Sequence, residues 1–470
     1  MMKRLFYFSC MCMMLIISLL SCKKESFITS ADARLNITRD SVKFDTVFTS
    51  TGSITQSFKI INENNQQLRL SSVKLMGGIN SPFKININGF PTVEENNIEI
   101  AANDSIYVFV SVTVNPNTAN LPFILSDSIQ VSYNGNTRFV QLEAFGQNAH
   151  FLRDSILTGN TVWNNDLPYV ILGSLRVDTT ASLTINPGCK IYTHANAPIL
   201  VDGTLNINGS KNNEVVFTGD RLDAAYRDLP ASWPGIYFRS TSENNQLRFA
   251  VIKNATQAVV VIDPAANNLP KLTLEQCIIT NAYDAGLLLL NSYAEANNTL
   301  ISNCSRNIYI EYGGKYSFTH CTVATYSNQY LLHTIPVLQA YNFTDASGTL
   351  QTADLEATFT NCIFWGDGGA VDDEVITGKE GNTVFNVNFN NCLYKALNDP
   401  ADATLNAVIR NIEPAFDSID VNNKYYDFRT SLNPFAPGLD AGLPVSLPTD
   451  LDDLPRSAGL APDLGCYEKQ

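Results

Sequence analysis

The sequence predicts an all-β chain in two bodies: an antiparallel sandwich, then a stacked solenoid. Three observations predict it. The first is a short phrase that returns through the second half: Leu247-Arg-Phe-Ala250-Val-Ile-Lys-Asn254, Leu274-Glu-Gln-Cys277-Ile-Ile-Thr-Asn281, Thr299-Leu-Ile-Ser-Asn303, Phe318-Thr-His-Cys321, Phe359-Thr-Asn-Cys362 and Phe389-Asn-Asn-Cys392. Along the Ala250/Cys277/Thr299/Cys321 column the steps are 27, 22 and 22 residues, and those to Cys362 and Cys392 are 41 and 30. One short strand per 20–30 residues marks a solenoid whose units bury their faces on one another. The second observation is short alternating runs between turn clusters over residues 35–142. The third is composition: only 16% of residues are charged, with Asn, Thr and Ser filling the gap, which suits strands and turns better than helices.

At 470 residues and 45% hydrophobic, the chain is long enough for two cores. The net charge of −14 argues against nucleic acid and anionic headgroups, since no stripe of cations could neutralise phosphates.

The elements follow in order. Residues 1–21 read as an export signal: Lys3-Arg4, an apolar run from Leu5 to Leu20, then Ser21-Cys22. The run is too short to span a membrane comfortably. Residues 22–31 form a polar tether, and residues 32–147 the sandwich. There Val42-Lys-Phe44, Phe58-Lys-Ile60, Leu68-Arg-Leu70, Phe83-Lys-Ile85-Asn-Ile87 and the run Ile106 to Val114 alternate with period two. Asn134-Gly135 is a hairpin turn, because both residues tolerate positive φ. Residues 150–410 form the solenoid and 411–470 its cap. Leu183-Thr-Ile185, Ile199-Leu-Val201, Leu205-Asn-Ile207 and Ile236-Tyr-Phe238 each place apolar residues at i and i+2, so one face of every short strand turns inward.

Seven cysteines follow Cys22, an odd number. Cys277, Cys321, Cys362 and Cys392 share one column of the repeat, where a small inward hydrophobe is wanted, so buried free thiols are expected. Asn254, Asn281 and Asn303 recur four places after Ala250, Cys277 and Thr299. A ladder of corner amides bonding the next rung explains them.

The Leu-Leu-Ser-Cys22 junction resembles a bacterial lipobox, which implies lipidation of Cys22 and membrane attachment. Lys23-Lys24 after it resembles outer-membrane sorting, with either face of that membrane open. Residues 32–147 resemble immunoglobulin-like modules without their disulfide. The second body resembles the right-handed parallel β-helix proteins of the pectate-lyase-like superfamily, and more narrowly the β-helix lipoproteins of Bacteroidota. The resemblance is carried by Leu183-Thr-Ile-Asn-Pro-Gly188, Gly219-Asp-Arg221, Trp233-Pro-Gly-Ile236 and a tail with Pro414-Ala-Phe416, Asn433-Pro434, Asp440-Ala-Gly442, Pro455-Arg456 and Asp463-Leu-Gly465-Cys-Tyr467-Glu468. Members that cleave acidic polysaccharides use clustered carboxylates, Ca²⁺ or a basic residue. Here Asp372-Asp373 matches one such motif, but the Gly-His-Gly, Arg-Ile-Lys and Arg-x-Pro-x-x-Arg patterns are absent.

Catalytic residues are therefore not named by the sequence. The candidates are Asp367, Asp372, Asp373 and Glu374 in a Gly-rich loop, where paired carboxylates could flank a glycosidic bond or hold Ca²⁺; a solvated loop is the plainer reading. No cofactor is required, and no Cys/His spacing suits a metal. A second charged loop holds Asp220, Arg221, Asp223, Tyr226, Arg227 and Asp228, with Trp233 read as core. Asp450, Asp452, Arg456 and Asp463 are expected to pin the cap through Arg–carboxylate forks. His320, next to Cys321 on an alternating strand, is expected to point outward, while His194 and His333 lack partners at motif spacing. Tyr309, Tyr312, Tyr316, Tyr326 and Tyr330 crowd the longest step of the repeat, and the binding cleft is expected there beside the 365–374 loop.

These features lead to the expectation of a lipid-anchored envelope protein whose β-helix is a non-catalytic surface for polysaccharide or an envelope protein. Two alternatives stay open: a polysaccharide lyase or glycoside hydrolase in the same groove, and a scaffold subunit of an outer-membrane assembly.

Overall fold

A computed structural model describes residues 26–48, 53–114, 123–346, 348–367, 370–431, 436–456 and 458–470. The chain divides into two units, Met1–Asn148 and Ala149–Gln470. Cys22 and Asn433-Pro434 lie outside the described residues.

The first unit packs two five-stranded sheets. One runs Leu35–Ile37, Gln56–Asn62, Ser105–Val112, Phe83–Ile87, Phe90–Pro91 in spatial order; the other runs Ser41–Phe48, Asn136–Gln147, Phe123–Tyr133, Leu68–Leu75, Glu94–Ile100. Alternation puts Phe44, Phe58, Ile60, Val73, Val108 and Val131 between the sheets, fully buried or nearly so. The sandwich is not wholly antiparallel as expected. Ser41–Phe48 pairs in parallel with Asn136–Gln147. Strands far apart in sequence need no tight turn between them, so the first long strand can lie along the last in the same direction.

The second unit is a parallel β-helix of three faces. On the second face, Val251 pairs with Ile278, Ile278 with Leu300, Leu300 with Thr322, Thr322 with Ile363, and Ile363 with Leu393, all parallel. Each returning phrase is thus one rung. The 41-residue step is a single rung as well, because Thr322 pairs directly with Ile363. Its extra length is a loop around 327–337 and a hairpin of Phe343–Ala346 with Thr349–Thr352.

Like side chains stack inside. Phe318, Phe359 and Phe389 lie with ring centroids 5.2 Å and 4.8 Å apart, and Phe364 stands edge-on to Phe359 at 5.5 Å. All seven described cysteines are buried and free. Within the column each Sγ–H donates to a carbonyl of the rung before: Cys277 to Leu247 (3.2 Å), Cys321 to Ala296 (3.4 Å), Cys362 to Phe318 (3.5 Å) and Cys392 to Phe359 (3.4 Å). Burial pushes the Cys277 thiol up to about 12.

The residue before that column always has positive φ: Phe249, Gln276, Asn298, His320, Asn361, Asn391 and Ala407. Amides tolerate this left-handed corner best. The C-terminal cap runs along it. Gln276 Nε2 donates to the Asp450 carbonyl (2.7 Å), Asn298 Nδ2 to Thr449 (2.9 Å), Asn361 Nδ2 to Leu443 (2.8 Å) and Asn391 Nδ2 to Ala441 (2.8 Å). Cap residues Phe428, Leu451, Leu464 and Tyr467 then cover the outer side of the second face over Leu300, Ile363 and Leu393.

His320 points away from the helix interior, toward the cap, and is not solvated: its ring is fully buried there against Asn361. The cap's forks also differ from expectation. Arg429 forks Asp452, Nε to Oδ2 at 2.7 Å and Nη2 to Oδ1 at 2.8 Å. Arg456 instead donates to Asn298 Oδ1 (2.7 and 3.0 Å), the Gly465 carbonyl (3.0 Å) and Glu468 (3.3 Å). Asp450 and Asp463 accept main-chain N–H groups.

Candidate functional site

The carboxylates 367, 372, 373 and 374 do not converge. Glu374 is fully buried and bonds His333 Nε2 at 2.7 Å. Gly366 makes the room, since a Cβ there would fall 2.1 Å from both side chains. Asp373 caps Asn398, accepting its N–H at 2.8 Å, which lowers the Asp373 pKa. Asp367 and Asp372 are exposed. Among the described residues no group of three His, Cys, Asp or Glu could hold a metal ion.

The five tyrosines do not converge either, because the rung sends neighbouring side chains to opposite sides. Tyr316 is interior, its hydroxyl donating to the Gly313 carbonyl at 2.9 Å. Tyr326 is buried against Phe428 under the cap. Tyr309 meets Tyr341 edge-on at 6.2 Å on the face where Ile308 pairs with Leu338, and Tyr312 occupies a positive-φ corner before Gly313. Of the five, Tyr330 lines the cleft formed with the cap.

That cleft, about 500 Å³, lies where the second face emerges from the cap. Its floor is the outer row Ile278 and Leu300 and the polar row Lys253, Thr280 and Ser302. One side is the corner ladder Asn254, Asn281 and Asn303. The other is the hairpin of Phe416–Asp420 and Tyr425–Thr430, contributing Tyr425, Tyr426 and Phe428. The hairpin's lining residues come from the tail, too far away in sequence for any spacing to associate them with the ladder.

The ladder is closed at one end and open at the other. Asn281 Nδ2 donates to Asn254 Oδ1 (2.8 Å) and the Asp228 carbonyl (3.0 Å); Asn254 Nδ2 donates to the Arg227 carbonyl (2.7 Å). Asn303 Oδ1 accepts the Tyr326 N–H (3.0 Å). Among the described residues, Asn281 Oδ1 and Asn303 Nδ2 keep no partner, and both residues line the cleft. An acceptor and a donor on adjacent rungs can take two hydroxyls of one ligand. Ser302 Oγ donates to Thr280 Oγ1 at 2.9 Å beside them.

The charged loop at 220–228 pairs within itself or with its surroundings. Asp220 bonds His194 at 2.6 Å, Arg221 bonds Asp223 at 3.1 Å and covers the Tyr226 ring. Only Asp228 reaches the cleft, and it lies 3.5 Å from Arg227. Trp233 is core, fully buried, with Nε1 donating to the Lys253 carbonyl at 2.9 Å. Lys424, exposed at the hairpin tip, donates to the Tyr330 hydroxyl at 3.1 Å and sits 4.4 Å above its ring.

No protein-family model matches the chain, and no curated protein matches it. The likenesses to solved structures are faint, as three of them show. The catalytic unit of a thermostable GH87 alpha-1,3-glucanase from Streptomyces thermodiastaticus shares 10% identity at a TM-score of 0.23, over 76% of this chain and 88% of that one. A family 123 glycoside hydrolase from Clostridium perfringens shares 11% at 0.19, over 28% of this chain and only 30% of that one. A PapD-like domain of human CEP192 shares 8% at 0.18, over 27% of this chain and 92% of that one. Likeness this low transfers neither fold nor activity. The fold rests on the strand register above.

Proposed function

We propose that the β-helix is a non-catalytic glycan-binding surface, and that its ligand lies in the cleft between the asparagine ladder and the C-terminal hairpin. The observation that carries this reading is the open amide pair, Asn281 Oδ1 and Asn303 Nδ2, facing tyrosine rings across a floor that is part apolar and part hydroxyl. Rings stack on the faces of sugar rings, and amides bond their hydroxyls. Glycosidic cleavage by acid and base uses two carboxylates, and of the described lining residues only Asp228 is a carboxylate. Lipidation at Cys22, and with it attachment to the outer membrane, belongs to the same proposal and rests on the lipobox.

The test is to incubate the soluble form, beginning after Cys22, with a panel of insoluble polysaccharides and to read retention and chain cleavage together. Retention without new reducing ends is expected. Cleavage would replace this reading with a hydrolase or lyase. Loss of membrane fractionation in Cys22→Ala is expected; unchanged fractionation would remove the anchor.

A further inference from the structure

Deepening the glycan reading, and resting on it, we infer that the cleft takes a neutral glycan chain laid along the helix axis, with its hydroxyls read rung by rung, and not a polyanionic one. Parallel pairing places Lys253, Thr280 and Ser302 in one outward column, and Asn254, Asn281 and Asn303 in the next. Successive rungs are about 4.8 Å apart, close to the advance of one sugar along an extended chain. A polymer lying on these columns therefore meets the same position once per rung.

What repeats along the columns is neutral. A chain with one carboxylate or sulfate per sugar would need a cation at each step, yet the column that begins with Lys253 continues as two hydroxyls. Of the two ammonium groups lining the cleft, Lys424 is engaged with Tyr330, which leaves Lys253 as one charge at one end. The protein's net charge of −14 also repels a polyanion before it arrives. The unpartnered groups fit hydroxyls instead, an acceptor at Asn281 and a donor at Asn303, and beside them lies the hydroxyl pair Thr280–Ser302. Tyr425, exposed on the hairpin, supplies a ring for stacking.

The experiment titrates the soluble protein with four neutral hexasaccharides (cello-, malto-, laminari- and mannohexaose) and with hexagalacturonate, at low and high salt. Saturable binding of at least one neutral hexamer, with an affinity that does not fall with salt, is expected. Tyr425→Ala, an exposed change that leaves the fold alone, should weaken it about threefold to tenfold. Asn303→Ala should weaken it too. If hexagalacturonate alone binds, and salt or Lys253→Met abolishes it, the neutral assignment is overturned while the glycan reading stands. If no hexamer binds, both fall together.

Discussion

Asn361 donates its side-chain N–H to Nε2 of His320 across 2.9 Å, at the corner where the C-terminal cap lies along the rungs. At the neighbouring positions of this corner the residue is Asn298, Asn361 or Asn391, each bonding a cap carbonyl. His320 is the one ionisable member, and its environment gives the cap a pH dependence.

Burial, with Arg456 nearby, pushes the His320 imidazole down to about 3 from its ordinary 6.5. The unfolded chain takes up this proton near 6.5 and the folded chain only near 3, so stability is lost as pH falls through that window. Glu468 works in the opposite sense. Burial holds it up to about 7 against an ordinary 4.5, so its contribution is complete below 4.5 and is lost as pH rises through 7. In melting curves from pH 3 to 8, His320→Asn is expected to flatten the acid limb, and Glu468→Gln the limb between 4.5 and 7. An unchanged acid limb in His320→Asn would show that the histidine is not its origin.

Asn281→Ala removes bonds to Asn254 and to the Asp228 carbonyl. Leaving this part-buried main-chain acceptor and the Asn254 amide oxygen unpaired is expected to cost about 1–3 kcal/mol. Chemical denaturation should show that loss, and an unaltered midpoint would mean that water replaces the amide freely.

Phe359 touches Phe318, Phe389 and Phe364 in the aromatic stack. Phe359→Ala should lower stability by about 3–5 kcal/mol. Phe359→Leu should cost less, because Leu247 and Leu274 hold the same column on earlier rungs. Equal losses for the two would point to a requirement for the ring itself.

The buried thiols should be inert. With Ellman's reagent at pH 8 the folded soluble form is expected to release almost no thiolate, and the unfolded protein should titrate seven. Rapid labelling of the native protein, or a Cys277–Cys304 disulfide in non-reduced peptides, would contradict the free-thiol column.

Much of this architecture is legible in the sequence because a solenoid repeats its register. The phrase around Cys277 predicts the rung, the column of thiols and the adjacent amides, since like positions stack on like. Two limits are equally physical. Alternation predicts that His320 points away from the helix interior, but not that it is buried, because the residues that cover it come from the distant tail. The tyrosines of 309–330 look like a cluster in the sequence, yet the corner at Tyr312-Gly313 and the inward turn of Tyr316 send them to different faces.

The sequence by itself determined the class of each body, the rung period and which side chains stack, because these follow from local periodicity and from hydrophobic burial. Tertiary structure alone decided where the cleft lies. Its two walls come from residues 254–303 and 416–430, and the cap brings them together through its hydrogen bonds to the corner amides and the packing of Phe428 with Leu300 and Tyr326.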